Sequence, residues 1–209
     1  MSSFESIVVV GASFTGKSTL VDSVNVPTYQ DKIVVPRRYV TRPLRPYDSE
    51  HENTQVSEDE FNGMVANGTI GLHWQRVLDY GPGNRHLYGF EASDEDDERL
   101  KIYSANNSIL AVKNASTENV LGTALVIMAH ASPEHREENA RSVMPEAQRH
   151  HHVYLEHRDK LVDPTRSAGF RMINTGEHDE TGQRKSILES VVEFHEIVYS
   201  VLNGTYGNR

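Results

Sequence analysis

Residues 11–18 read Gly-Ala-Ser-Phe-Thr-Gly-Lys-Ser and match the phosphate-loop pattern G-x-x-x-x-G-K-[ST] at every fixed position. A β-branched run, Ile7 to Val10, precedes the loop, and Thr19-Leu20-Val21 follows it. Such a loop needs a strand to deliver the chain and a helix N-terminus to receive it, because only then do its backbone N–H groups converge on an anion. The context therefore predicts a nucleoside triphosphate site.

Individual residues of the loop have distinct expected roles. Gly11 and Gly16 allow the backbone to turn without a Cβ clash. Lys17 is expected to reach the β- and γ-phosphates, and the Ser18 hydroxyl to ligate Mg²⁺, so ATP and Mg²⁺ are the predicted cofactors. The predicted nucleotide-binding residues are Gly11, Ala12, Ser13, Phe14, Thr15, Gly16, Lys17, Ser18 and Thr19.

Composition narrows the classes of partner. The 209 residues carry a net charge of −9, which argues against non-specific binding to nucleic acid. No run approaches the ~20 apolar residues of a membrane helix, and Met1 to Ser6 lacks the features of a secretory signal. The chain has no cysteine, which fits a reducing compartment. We therefore expect a cytoplasmic protein without nucleic-acid or membrane partners.

The order of apolar patterns predicts an α/β fold. Strand patterns occupy residues 7–10, 32–35, 108–112, 124–128 and 170–173, and helical patterns occupy 17–24, 57–67, 132–141 and 181–202. This alternation is typical of a P-loop NTPase, a three-layer αβα structure around a parallel sheet. We expect one domain over residues 1–209, with its core at 1–35 and 100–209, and an inserted subdomain at about 36–90, where the alternation is lost.

Arginines are concentrated at the start of that insertion. Arg42 and Arg45 lie three positions apart in a proline-stiffened segment, directly after Thr41. Arginine presents a rigid fork of donors that matches a phosphate group bidentately. Two forks and a hydroxyl would form a monophosphate site.

Four short motifs follow the loop: Thr41-Arg42-Pro43-Leu44-Arg45-Pro46, Val56 to Phe61, Gly71 to Trp74, and Leu87-Tyr88-Gly89. Because these four motifs occur in this order behind a phosphate loop, the chain resembles the guanylate kinase family. The resemblance implies transfer of the ATP γ-phosphoryl group to a phosphate-bearing acceptor, which Arg42, Arg45 and Tyr88 would grip. His73 falls where those kinases place a glutamate that reads guanine.

A second branch of that superfamily, the ribose 1,5-bisphosphate phosphokinases, is similar at the points where the chain departs from guanylate kinases. The matching stretches are Arg38 to Pro43, Glu50 to Asn53 and Leu72 to Trp74. The acceptor therefore stays open between a GMP-like nucleoside monophosphate and a ribose 1,5-bisphosphate-like sugar phosphate. The predicted acceptor-binding residues are Arg38, Thr41, Arg42, Arg45, His73 and Tyr88.

The same resemblance places a lid at about residues 134–152. Arg136 and Arg141 are five apart and would not share one helical face, so we rank Arg141 and Arg149 ahead of Arg136 as catalytic groups beside Lys17. No acid follows the patterns at 109–112 or 125–128 to hold Mg²⁺. Asn114 is the polar residue expected to orient a metal-bound water instead.

Two other classes of function remain open at this level. Some guanylate-kinase-like domains are non-catalytic binding modules, and an NTPase could hydrolyse ATP without an acceptor. The intact loop favours the kinase, whereas the missing acid favours the binding module. A homodimer is a further possibility for a kinase of this size.

Overall fold

The computed structural model describes residues 4–44, 48, 52–77, 85–94, 96–141, 167–175 and 185–207. Among these residues, no helix combines the length and the apolar character needed to cross a membrane. The described elements form two sheets with helices packed around them.

The first sheet is parallel and carries the phosphate loop at its centre. Its strands are β1 (Ser6–Val10), β2 (Ile33–Val34), β7 (Leu100–Ser104), β8 (Ala124–His130) and β9 (Gly169–Asn174). They are arranged in the order β2-β7-β1-β8-β9, and all four pairings are parallel. Every residue of β1 is buried, as expected for a central strand covered on both faces. The loop after β1 thus opens at the carboxyl edge of the sheet.

Two apolar clusters cover the faces of this sheet. On one face, Ile7 and Val9 pack with α1 (Lys17–Val24) and with the last helix, α5 (Ile187–Leu202). On the other face, Val8 and Val10 pack with residues of α3 (Ala115–Thr123) and of the second sheet. Alternate side chains of one strand therefore enter two different cores, which confirms the predicted three-layer P-loop fold.

The second sheet is formed by residues within the stretch 38–91. Its strands are β3 (Arg38–Val40), β4 (Asn53–Gln55), β5 (Ile70–Val77) and β6 (Arg85–Glu91), in the order β4-β3-β6-β5. Helix α2 (Glu58–Ala66) packs on it and begins at a capping box, in which Ser57 and Glu60 each bind the other's backbone N–H. This sheet stands at one end of the first and provides a second wall for the site.

Two predictions about secondary structure were wrong. The pattern at 108–112 predicts a strand, but Asn107–Ala111 is a 3₁₀ turn that begins where the Asn106 side chain accepts a hydrogen bond from the Ser108 N–H. The core strand is β7, whose Lys101 and Ser104 interrupt the apolar pattern. Helix α3 was missed because its buried residues, Thr117 and Leu121, form only a weak apolar stripe.

The remaining helices agree with the sequence patterns. Helix α4 (Pro133–Arg141) starts with proline at its first position. Helix α5 starts at Ile187, after a capping box formed by Ser186 and Glu189, rather than at residue 181. Residues 181–184 lie outside the described part of the chain.

Candidate active site

The loop after β1 has the shape of a phosphate cradle. Gly16 has φ of 82°, a conformation that side chains with a Cβ rarely adopt. A Cβ on Gly11 would lie 2.4 Å from the Ala129 carbonyl oxygen and 2.8 Å from Thr15 Oγ1, so neither position tolerates a larger residue. The glycines required by the motif are therefore required by this geometry, and the loop fits the triphosphate that the motif implies.

Side chains of Lys17 and of three residues outside the loop hold the carbonyl groups of the loop. Ala12 O accepts from Lys17 Nζ at 2.5 Å, Ser13 O from Arg136 Nε at 2.9 Å, Phe14 O from Asn139 Nδ2 at 3.1 Å, and Thr15 O from Thr175 Oγ1 at 2.6 Å. Four consecutive carbonyl groups are thus turned toward protein donors. This orientation leaves the amide side of these peptides for an anion.

Arg136 is the arginine of α4 that contacts the loop. Its side chain is almost fully buried, whereas the side chain of Arg141 is 63% exposed and lies 3.7 Å from Glu137. The five-residue spacing does put the two arginines on different faces, about 140° apart, but the loop lies on the face of Arg136. Arg136 therefore positions the loop, a role that the prediction from sequence did not include. Arg149 lies outside the described residues, and catalytic roles for it and Arg141 stay predictions.

A cavity of about 640 Å³ connects the cradle to the second sheet. The cradle side is lined by Lys17, Ser18 and Thr19 together with Thr175 and Lys185. The opposite side is lined by Arg38, Arg42, Trp74, Arg76 and Tyr88. Phosphate-binding groups therefore face one another across one space.

Arg42 binds both carboxylate oxygens of Asp48 in a bidentate geometry. Its Nη1 and Nη2 donate to the two carboxylate oxygens of Asp48 at 2.5 and 3.0 Å, and Arg42 is only 6% exposed. Burial alone would lower the pKa of Arg42, but the hydrogen bonds and charge of Asp48 raise it overall. Arg42 thus stays a cation whose donors are arranged for a planar carboxylate or a phosphate.

Arg38 connects the second sheet to the first. Its Nε donates to Asn53 Oδ1 at 2.8 Å and its Nη1 to the Ser104 carbonyl at the end of β7 at 2.6 Å, and its Nη2 lies 3.2 Å from Glu52 Oε1. Burial lowers the pKa of this guanidinium. Because the donors of Arg38 bind Asn53, Ser104 and Glu52, this side chain holds the two sheets together beside the cavity.

The floor of the cavity on the second sheet is aromatic. The rings of Trp74 and Tyr88 are stacked, with centroids 5.5 Å apart and an angle of 16° between their planes. Arg76 follows Trp74 by two positions on β5 and therefore points to the same face. Tyr88 lies beside Arg42 in the cavity lining, and its role in acceptor binding stays a prediction.

His73 and Thr41 do not reach the cavity, contrary to the prediction. His73 lies between Leu72 and Trp74 on β5, so strand alternation turns it to the opposite face, where its Nδ1 is 3.2 Å from Ser116 Oγ. Thr41 Oγ1 accepts a hydrogen bond from the Leu87 N–H at 2.9 Å and joins β3 to β6. Arg45 was also predicted to bind the acceptor, and it lies outside the described residues.

A substitution tests the position of His73. We expect His73→Gln to change the KM of the acceptor substrate by less than about 2-fold, because the His73 side chain faces α3 rather than the cavity. Steady-state kinetics at saturating ATP measure this, with the thermal midpoint as a check on folding. A rise of the acceptor KM by an order of magnitude at an unchanged midpoint would contradict the placement.

An acidic residue of the insertion lies beside the phosphate loop. Glu52 lies just before β4, and its Oε2 accepts from Ser18 Oγ at 3.2 Å. Asn114, which we expected to orient a metal-bound water, instead caps α3: its Oδ1 accepts from the Thr117 N–H and its Nδ2 donates to the His73 carbonyl. Asn114 therefore stabilises the start of α3, and Glu52 is the acidic residue that contacts Ser18 of the loop.

Sequence reasoning missed several groups of the site. Arg76 could have been found, because it follows Trp74 at strand spacing within a recognised motif. Asn139 and Arg136, three positions apart on α4, share a helical face that only the tertiary structure turns toward the loop. Thr175 and Lys185 carry no local signal of a role, whereas Glu52 lies in the matching stretch from Glu50 to Asn53.

Known proteins with similar sequences were found by direct comparison. The chain is 31% identical over 127 residues to ribose 1,5-bisphosphate phosphokinase PhnN of Rhodopseudomonas palustris, covering 60% of each protein. It is 27% identical over 123 residues to the protein of the same name from Bradyrhizobium diazoefficiens, covering 57% of each. The matches thus span about 60% of the length of these curated relatives, and no protein-family model matches the chain.

The fold also has a solved counterpart. The crystal structure of guanylate kinase from Anaplasma phagocytophilum superimposes with a TM-score of 0.55, at 15% identity, over 93% of this chain and 84% of that one. This likeness concerns the fold, because the identity is low. The chain therefore has a guanylate kinase-like fold with a phosphate loop, and part of its sequence is similar to ribose 1,5-bisphosphate phosphokinases.

Proposed function

We propose that this protein is an ATP-dependent kinase that transfers the γ-phosphoryl group to a phosphorylated small molecule. The observation that carries the proposal is the single cavity with a phosphate cradle on one wall and the buried Arg42 fork on the other. A triphosphate on the first wall and an acceptor phosphate on the second would direct two phosphate groups at each other, as phosphoryl transfer requires.

The chain's own residues supply positioning and charge. Lys17 leaves the Ala12 carbonyl and neutralises the β- and γ-oxygens, while Arg136, Asn139 and Thr175 keep the loop rigid. Arg42 exchanges Asp48 for the acceptor phosphate. When bound, Mg²⁺·ATP supplies the phosphoryl group and the metal charge that neutralises it.

A phosphorylated sugar suits the acceptor wall better than guanine does. The N1 and N2 edge of guanine presents N–H donors, which need an acceptor such as a carboxylate, whereas its O6 and N7 atoms accept from an arginine. On β5, the side chains that face the cavity are Trp74 and Arg76, and Arg76 can only donate. The cavity carboxylates of Asp48 and Glu52 each bind an arginine. A second phosphate on the acceptor would complement Arg76, in line with the bisphosphate named for the curated relatives.

An acceptor panel tests this function. We expect ATP consumption to be fastest with ribose 1,5-bisphosphate and to be at least about 10-fold lower in kcat/KM with GMP, dGMP or AMP, because only the bisphosphate meets both arginine sites. Coupled detection of ADP measures the rates, and a reaction without acceptor gives the background. Preference for GMP would contradict the sugar assignment, and rapid hydrolysis without any acceptor would favour an NTPase instead.

A further inference from the structure

Glu52 brings a carboxylate from the insertion to the phosphate loop. Its Oε2 and Oε1 lie 3.2 and 3.5 Å from Ser18 Oγ, although 34 residues separate the two positions. Its side chain is only 13% exposed, and its Oε1 pairs with Arg38 Nη2. Ser18 is the loop residue whose hydroxyl the motif assigns to Mg²⁺. The carboxylate is therefore held at the predicted position of the metal.

The distance between these oxygens fits two neighbouring ligands of one ion. Magnesium binds oxygen at about 2.1 Å in octahedral geometry, which separates adjacent ligands by about 3.0 Å. The Ser18–Glu52 distance of 3.2 Å is close to that value. The Ser18 hydroxyl and the Glu52 carboxylate therefore need little movement to bind one Mg²⁺ ion together.

Among the residues that the structure describes, the cavity lining holds one other carboxylate, Asp48, which binds Arg42. The strands on either side of β1 end in Ser104-Ala105-Asn106 and in His130, without an acid. No described group of three or more histidine, aspartate or glutamate side chains is placed to hold a metal. This suits Mg²⁺ in kinases, which takes one or two carboxylates and completes its shell with phosphates and water.

We propose that Glu52 is the carboxylate of the magnesium shell, acting with Ser18, an inference that rests on the proposed binding of Mg²⁺·nucleotide. Arg38 is the positioning residue, since its contacts with Asn53 and Ser104 hold the guanidinium that orients Glu52. The metal site is thereby joined to the acceptor wall.

Titration calorimetry of ADP with and without Mg²⁺ tests the inference on the full chain. In the wild type, Mg²⁺ should strengthen ADP binding over that in EDTA. In Glu52→Gln, which preserves size and removes the charge, we expect the Mg²⁺-dependent gain to fall by about 10-fold or more while ADP affinity in EDTA stays within about 2-fold. Asp97→Asn is the matched control, because it removes another arginine-paired carboxylate, far from the cavity.

A second readout follows the metal directly. Mn²⁺ in place of Mg²⁺ gives an electron paramagnetic resonance signal of the protein·Mn·ADP complex, whose affinity for Mn²⁺ should drop in Glu52→Gln and, to a smaller extent, in Glu52→Asp. An unchanged metal-dependent gain in Glu52→Gln would overturn the inference and leave the kinase proposal standing, as would equal losses with and without metal. Failure of the wild type to bind ADP at all would overturn the kinase proposal and this inference together.

Discussion

Lys17→Ala is expected to abolish ATP-dependent phosphoryl transfer, with kcat/KM falling by about 10³-fold or more. Lys17 is the first residue of α1, and its Nζ is 2.5 Å from the Ala12 carbonyl within the cradle. The ammonium is therefore inside the loop before nucleotide binds, and it need move only a short distance to reach phosphate. Alanine removes the one cation of the loop at the place where negative charge develops during transfer.

Steady-state assays with ribose 1,5-bisphosphate measure this effect, and calorimetry with Mg²⁺·ATP separates binding from chemistry. Lys113→Ala is the matched control, because Lys113 is an exposed lysine outside the cavity lining and its loss should leave turnover unchanged. Unchanged turnover in Lys17→Ala would refute the role of the loop. A wild type that binds no Mg²⁺·ATP would indicate a non-catalytic binding module.

Arg42→Ala is expected to raise the acceptor KM by about 10²-fold or to destroy activity, since the variant loses the fork that grips the acceptor phosphate. The KM for ATP should change little, because the loop lies on the opposite wall. The substitution also leaves Asp48 buried without its partner, at a cost of about 3–5 kcal/mol in folding free energy. Loss of activity could then reflect unfolding, which the thermal midpoint detects.

Two further variants separate recognition from stability. Arg42→Lys keeps a cation beside Asp48 but cannot bind a phosphate bidentately, so it should fold and still raise the acceptor KM. Arg37→Ala is the control, because Arg37 is an exposed arginine near the same strand and outside the cavity lining. An acceptor KM in Arg42→Lys equal to that of the wild type would contradict direct recognition by Arg42.

The features read correctly from the sequence are local ones. The loop from Gly11 to Ser18 depends on glycine conformations and on a strand and a helix adjacent in the chain. The start of α2 at its capping box follows from side chains three residues apart. Buried Arg42 was found because its motif is contiguous. Each of these follows from neighbours within a few residues.

The wrong predictions concern side chains that could lie on either of two faces of their strand or helix. His73 stands in a recognised motif, but a strand sends alternate side chains to opposite sides, so a shift of one residue exchanges Trp74 for His73 at the cavity. Arg136 and Arg141 posed the same problem on a helix, where packing of α4 against the loop decided in favour of Arg136. Local sequence does not specify which face is packed inward.

The sequence by itself determined the phosphate cradle, the parallel α/β core and the arginine-rich acceptor segment, because these depend on contiguous residues and on apolar periodicity. The tertiary structure decided the rest of the site. It placed Glu52 at Ser18 across 34 residues, tied the loop carbonyls to Arg136, Asn139 and Thr175, and turned Arg76 rather than His73 toward the cavity. These contacts join segments that meet only when the second sheet, α4 and the end of β9 pack around the loop, and no local pattern encodes that packing.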